Sequence, residues 1–150
     1  MASDTSQEQP GKITGRCYCG ARVLQADQGP EAVAYCHCMD CRRLCGAPVA
    51  AFAAFATDRI AFTPALDEGF STTPGITRWF CRTCGSPLAA TYAYLPGQIY
   101  VPLGLLDQAA DLPPRLHAHA DARLTWLHIH DDMPRIEGSS RDQLKAAHRT

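Results

Sequence analysis

The sequence predicts a mainly β fold of several short antiparallel sheets with little helix. Apolar and aromatic residues occur in short runs, which is typical of strands rather than of long helices. Eleven glycines and eleven prolines separate these runs, and turn residues at this density favour many short strands. Eight cysteines lie in three clusters, and a small β domain gains stability when such clusters bind metal.

Length and composition indicate one globular domain of 150 residues, with 46% hydrophobic and 19% charged residues. The net charge of -1 and the lack of basic runs argue against nucleic acid as a partner. The longest apolar run, residues 47–56, is about half of what a membrane span needs. Residues 1–11 lack the apolar core of a secretory signal, which predicts a cytoplasmic protein in a reducing compartment.

The predicted organisation is a tail over residues 1–12, a zinc-binding domain over 13–137 and a C-terminal tail over 138–150. The first segment is polar and lacks periodicity. In the last segment, residues 142–149 are predicted to form a short helix.

The first elements are a hairpin and a strand that leads into a metal-binding loop. Residues 13–24 alternate and contain a tight turn at Gly20, which predicts two paired strands. A strand is predicted over residues 32–38 and a helical turn over 41–45. Gly46 is expected to end this helical turn.

The remaining elements are predicted to be mostly strands. Apolar runs predict strands over residues 49–56, 59–63, 77–80, 88–94, 99–103 and 124–129. The strand over 99–103 contains Pro102, which favours an edge position because proline cannot donate a ladder hydrogen bond. Residues 105–110 are predicted to form a short helix.

Two cysteine pairs, far apart in sequence, have the spacing of a structural zinc site. Residues two apart on a strand point to the same side, so Cys17 and Cys19 can offer two thiolates to one ion. The C-x-x-C turn of Cys81 and Cys84 does the same. Structural zinc takes four such ligands, and thiolates favour zinc over magnesium or calcium. The alternatives are an iron–sulfur cluster and, in a secreted protein, disulfides.

The middle cluster offers a different ligand set. Cys36, Cys38 and Cys41 supply three thiolates within six residues, and three protein ligands with one open position are typical of catalytic zinc. Cys45 lies four residues after Cys41, so a helical turn places both on one face. Cys45 is therefore either a fourth ligand, which would close the site, or a small buried apolar residue.

These motifs resemble the glutathione-dependent formaldehyde-activating enzyme family, which includes centromere protein V. The resemblance covers about residues 13–137. It rests on G-x-C-x-C-G from Gly15, C-H-C-x-x-C-R from Cys36 and W-F-C-x-x-C-G-S-P-L from Trp79. His117, Arg123 and Trp126 also match the spacing of the family's H-x5-R-x2-W segment.

The resemblance implies a β-tent fold around two zinc ions per chain. It implies a structural zinc on the first set of cysteines (Cys17, Cys19, Cys81 and Cys84) and a catalytic zinc on the second (Cys36, Cys38 and Cys41). The implied activity is carbon–sulfur lyase chemistry, which joins formaldehyde and glutathione or separates them. One position departs from the family pattern, because Cys45 stands where the family usually has serine.

Several other side chains are candidates for substrate binding. Arg42, Arg43 and Arg123 can hold a substrate carboxylate through paired hydrogen bonds, or are simply solvated. His117 gains a pocket role from the family resemblance, and Trp126 is a candidate for the pocket wall.

The leading hypothesis is a zinc-dependent lyase that acts on a thiol adduct of the S-hydroxymethylglutathione type. Its expected partner is a small-molecule thiol, with glutathione the first candidate. One alternative is a non-enzymatic zinc-stabilised binding module, which Cys45 would favour by closing the second site. The other alternative is a zinc enzyme that acts on a different small molecule without glutathione.

Overall fold

The computed structural model describes residues 11–148. This range contains ten strands in two sheets and two short helices. The prediction of a mainly β protein with little helix is confirmed. Residues 1–10 of the predicted N-terminal tail and residues 149–150 lie outside the described residues. The strands are β1 (Ile13–Arg16), β2 (Val23–Ala26), β3 (Ala32–Cys36), β4 (Ala50–Ala56), β5 (Ile60–Thr63), β6 (Phe70–Thr73), β7 (Ile76–Phe80), β8 (Pro87–Tyr92), β9 (Gln98–Pro102) and β10 (His117–Ala118).

The smaller sheet contains the predicted first hairpin. Its strand order is β1-β2-β5, and all its pairs are antiparallel. Ile13 lies opposite Ala26, and both are buried together with Leu24. The alternation of buried and exposed residues in β2 is what a strand with one covered face requires.

The larger sheet has the order β10-β3-β4-β9-β8-β7-β6. Its pairs are antiparallel except for the parallel pair of β10 and β3. Phe55, Leu88 and Val101 of this sheet pack in one core cluster with Ile13 and Leu24 of the smaller sheet. The core therefore lies between the two sheets.

The prediction of an edge position for the strand with Pro102 is wrong. Strand β9 lies in the middle of the larger sheet, between β4 and β8. Pro102 is the last residue of β9 and pairs with Phe52 at the end of the ladder. A proline at a strand end removes no interior hydrogen bond, so the sheet tolerates it there.

The predicted strand over residues 124–129 is also absent from the described structure, where this segment is irregular. The guanidinium of Arg123 donates hydrogen bonds to the carbonyl oxygens of Leu124, Thr125 and Leu127, at 3.0, 3.2 and 2.6 Å. These bonds satisfy carbonyl groups that would otherwise need a neighbouring strand. The two-residue strand β10 ends the larger sheet instead.

Two further segments differ in detail from the sequence prediction. The helix predicted over residues 105–110 is replaced by two 3-10 turns, Leu103–Leu105 and Ala109–Asp111. Strand β6 was not predicted, because its four residues are all exposed and lack the apolar alternation that marks a half-buried strand.

Both helices are short. Helix α1 spans Met39–Cys45 and ends at Gly46, whose φ of 63° is the left-handed conformation expected of a glycine cap. Helix α2 spans Arg141–Ala147. Within the described range, no helix has the length and apolar composition needed to cross a membrane.

Candidate metal centres

The four cysteines of the first set meet where the first hairpin lies against the turn between β7 and β8. Their sulfur atoms all lie within 4.8 Å of one another. Cys17 and Cys81 are buried in the core, while Cys19 is exposed. The Sγ atoms of Cys17 and Cys19 are 3.7 Å apart, and those of Cys19 and Cys81 are 3.8 Å apart.

These distances fit a tetrahedral zinc ion. With Zn–S bonds of about 2.3 Å, the sulfurs of a tetrahedron lie about 3.8 Å apart. Backbone N–H groups of Ala21 and Arg22 donate to the sulfurs of Cys19 and Cys17, both at 3.4 Å. The hydroxyl and backbone of Ser86 lower the pKa of Cys84 to about 5, which favours its thiolate form. The set can therefore hold a soft divalent ion.

The second set lies at the end of β3 and in the first turn of α1. The Cys36 thiol donates to the Cys38 sulfur at 3.4 Å, and the backbone N–H of Cys41 donates to the same sulfur at 3.3 Å. Hydrogen bonds from the Cys36 and Cys41 thiols lower the pKa of Cys38 to about 2. The contact with Cys38 raises the pKa of Cys36 to about 12, and the contact with Cys36 raises that of Cys41. A nearby cation is needed before all three can be thiolates, and the donor set fits zinc.

His119 is a fourth candidate ligand that the sequence analysis did not single out for this cluster. One of its ring nitrogens and the sulfurs of Cys36 and Cys38 all lie within 4.8 Å of one another. Cys41 is not in this group, and neither is Cys45, the candidate fourth ligand from sequence. Cys45 is half-buried at the end of α1, and burial raises its pKa. The sequence signal for His119 was its alternation with His117, which gave no indication of a neighbour in β3.

A cavity of about 470 Å³ opens beside the second set. This volume falls in the range of roughly 300–1,000 Å³ typical of small-molecule sites. Cys36, Cys38, Cys41 and His119 line it on one side. The rest of its wall includes five aromatic side chains and two arginines: Tyr35, Phe52, Tyr92, Tyr94, Tyr100, Arg78 and Arg141.

The structure places the candidate substrate-binding residues elsewhere, and none of the five lines this cavity. Arg42 donates to the carbonyl oxygens of His37 and Ala122, at 3.0 and 2.6 Å, and so ties the ligand loop to the segment after β10. Arg43 and Trp126 are exposed, the latter at 64%. Arg123 donates to the carbonyl oxygens of residues 124, 125 and 127. His117 is buried in β10, opposite Tyr35 of β3.

A buried chain of side chains supports the second set from behind. His117 Nε2 donates to the Asp131 carboxylate at 2.9 Å, which leaves its Nδ1 to accept from His37 Nε2 at 2.8 Å. Burial, and then the proximity of His117, lowers the pKa of His37 and keeps it neutral. The bond from His117 lowers the pKa of Asp131 to about 2. Because His37 lies between Cys36 and Cys38, these hydrogen bonds orient the segment that carries both cysteines.

Comparison with known proteins identifies the family. A family model described as glutathione-dependent formaldehyde-activating enzyme matches residues 12–122, which include both cysteine sets and His119. A crystal structure of a Rhodobacter sphaeroides protein has a similar fold, with a TM-score of 0.52 and 24% identity over 82% of this chain and 99% of that chain. Among curated proteins, none matches the chain. Since the family model covers about three quarters of the sequence, the chain belongs to the glutathione-dependent formaldehyde-activating enzyme family.

Proposed function

We propose that the protein is a zinc-dependent carbon–sulfur lyase that makes or breaks the adduct of a thiol with formaldehyde, with S-hydroxymethylglutathione as the substrate type. The observation that carries this proposal is the cavity that opens onto Cys36, Cys38 and Cys41. The four cysteines of the first set line no part of this cavity, so a metal bound there suits a structural role. Membership of the family supports glutathione as the thiol.

The proposed reaction joins a sulfur to a carbonyl carbon. Zinc held by the three cysteines would keep a substrate sulfur in its thiolate form. The sulfur attacks the carbon of formaldehyde and a C–S bond forms. The electron pair of the C=O bond moves to oxygen, which takes a proton and becomes a hydroxyl group, while the thiol has given up its own proton. Breakdown of the adduct follows the reverse course.

The aromatic wall of the cavity would exclude water from the adduct. Tyr92 and Tyr100 pack edge to face with ring centroids 5.4 Å apart, and Phe52 packs against Tyr100. Burial raises the pKa of both tyrosines, so their hydroxyl groups stay protonated at neutral pH. Because Tyr100 already donates its proton to Gln98 Oε1 at 2.7 Å, the cavity offers apolar surface and, from Tyr92, a neutral hydroxyl.

Arg78 is the side chain best placed to recognise the rest of a glutathione molecule. It lies in β7, lines the cavity and is half-buried. Its Nε is buried and has no hydrogen-bond partner among residues 11–148. Glutathione carries two carboxylates, and an arginine fork binds a carboxylate through paired hydrogen bonds. We therefore propose that Arg78 holds one of them.

Replacing Arg78 with alanine is expected to raise KM for the glutathione adduct about 10- to 100-fold, the cost of losing a charged hydrogen bond. The value of kcat should change little, since the proposed contact is to a carboxylate and not to the reacting carbon or sulfur. The KM of Arg78→Lys should lie between those of the wild type and Arg78→Ala. Arg82→Ala is the matched control, because Arg82 is an exposed arginine that pairs with Asp67. Equal KM values in the Arg78 and Arg82 variants would exclude this role.

The proposed activity can be tested by NMR exchange spectroscopy with ¹³C-formaldehyde and glutathione. The zinc-loaded protein is expected to increase the exchange rate between formaldehyde hydrate and the glutathione adduct well above the uncatalysed rate. A chelator that removes zinc from the second set should return exchange to that background, and added zinc should restore it. Exchange that is insensitive to zinc would show that the second set is not the reaction site.

The same measurement separates the two alternatives. Acceleration with other thiols or carbonyl compounds but not with glutathione would favour a zinc enzyme for a different small molecule. No acceleration with any adduct, with both zinc ions bound, would favour a zinc-stabilised binding module. Since the proposed chemistry needs reduced thiols, we also propose that the protein acts in the cytoplasm.

A further inference from the structure

His119 reaches the second thiol set through the pairing of two distant strands. Strand β10 runs parallel to β3, with Ala118 opposite Cys36. The backbone N–H of His37 donates to the carbonyl of Ala118 at 3.1 Å. The residue that follows β10 therefore lies beside the turn that carries Cys38. This explains why a His119 ring nitrogen lies within 4.8 Å of the sulfurs of Cys36 and Cys38.

The backbone of His119 is held in a conformation that most residues avoid. Its φ and ψ are 51° and 44°, the left-handed region, and it is the only non-glycine residue with positive φ within the described range. Its N–H donates to the carbonyl of Gly138 at 2.8 Å, and its carbonyl accepts from Ala122 at 3.0 Å. Strain of this kind persists only where the surroundings impose it, and it is concentrated at functional sites.

We propose that the imidazole of His119 is the fourth ligand of the second metal site, together with Cys36, Cys38 and Cys41. Three cysteines and one histidine form a common tetrahedral zinc set. The Cys41 thiol contacts those of Cys36 and Cys38, so it lies next to the two sulfurs that the ring approaches.

Cys45 is a poorer fourth ligand than His119. It does not line the cavity, whereas His119 does. Cys45 packs against the small apolar cluster that contains Cys36, Cys41 and Ala50, so it lies near the thiols but outside the cavity and outside the group that His119 joins. It therefore fits the small apolar residue that the sequence analysis kept as an alternative.

A ligand at this position changes how substrate enters the site. With His119 bound, the resting site has four protein ligands and no open position. The proposed lyase activity then requires a thiol to displace the imidazole, and this step rests on the proposed function. His119 is half-buried and lines the cavity, so its ring has space to move aside.

The test compares His119→Gly with His130→Ala and Cys45→Ala in the zinc-loaded full-length chain. Glycine adopts the left-handed conformation readily, so the variant keeps the fold while it loses the ring. His130 is an exposed histidine outside the cluster and serves as the matched control. Circular dichroism and retention of zinc in the first set report the integrity of the fold.

The first readout is zinc K-edge X-ray absorption without substrate. The outer-shell scattering typical of imidazole is expected in the wild type, His130→Ala and Cys45→Ala, and should be lost in His119→Gly. Added free imidazole should restore it. Imidazole scattering that survives in His119→Gly, or is absent from the wild type, would overturn the proposal. Loss of a sulfur ligand in Cys45→Ala would assign the position to Cys45.

The second readout is zinc affinity by competition with a chelator. Loss of a partner that only supports a ligand typically costs 10- to 100-fold in affinity, so loss of the ligand itself should cost at least 10-fold. An unchanged affinity in His119→Gly would overturn the proposal. Neither readout uses the reaction. A protein with His119 as a ligand but without exchange activity would refute the proposed function alone.

Discussion

Replacement of Cys38 with serine is expected to abolish catalysed exchange while the fold is retained. The Cys38 sulfur lies at the centre of the second set, 3.4 Å from the sulfur of Cys36, and it caps helix α1 by accepting from the Cys41 N–H at 3.3 Å. A serine hydroxyl keeps this cap, since serine is a favoured N-cap residue. It is a poor zinc ligand, because zinc sites of this kind use thiolates.

The measurements are zinc content, circular dichroism and the exchange rate. The variant should bind one zinc ion per chain, keep the wild-type spectrum and show exchange at the uncatalysed rate. Cys38→Ala should be equally inactive and less stable by about 1 kcal/mol, the typical cost of losing a helix cap. Full activity in Cys38→Ser would mean that the reaction occurs elsewhere and would refute the assignment of the second set.

Replacement of Cys81 with serine is expected to have the largest effect on stability. Cys81 is 2% exposed, lies in the main core and joins the first hairpin to the turn between β7 and β8 through the thiol set. Zinc binding contributes on the order of 10 kcal/mol or more to the folding of zinc-finger peptides. Domains of this size are typically stable by only about 5–15 kcal/mol. Loss of the first site should therefore leave much of the chain unfolded at ambient temperature.

Thermal and urea unfolding of the zinc-loaded proteins would measure this effect. Cys45→Ser is the control, since Cys45 is a cysteine of the same chain outside the first set, and its unfolding midpoint should stay close to that of the wild type. A Cys81→Ser variant that unfolds at the wild-type midpoint would show that the four-thiol cluster does not stabilise the fold.

Local patterns account for the parts of the fold that were predicted correctly. The turn around Gly20 and the end of helix α1 at Gly46 depend on φ angles of 80° and 63°, which glycine adopts readily. The apolar run over residues 49–56 predicted β4 because it is as long as a buried strand.

The incorrect predictions concern segments whose structure depends on distant partners. Whether β9 is central or at an edge depends on which strands lie beside it, and Pro102 at its end permits either. Residues 124–129 have apolar residues suited to a strand, but the guanidinium of Arg123 satisfies their carbonyl groups instead. The hydrogen bonds of one side chain thus take the place of those that a neighbouring strand would make.

The sequence by itself determined which thiols lie together locally, because the C-x-C and C-x-x-C spacings keep two sulfurs within one short segment. Cys17 and Cys19 lie in the turn after β1 and not on a strand, and their sulfurs are still 3.7 Å apart. Only the tertiary structure decided what joins those pairs. Strand pairing between β10 and β3 brings His119 to Cys36 and Cys38, and the order of the larger sheet brings Arg78 of β7 to the same cavity. These contacts link residues far apart in sequence, and local spacing carries no information about them because they follow from the packing of the whole sheet.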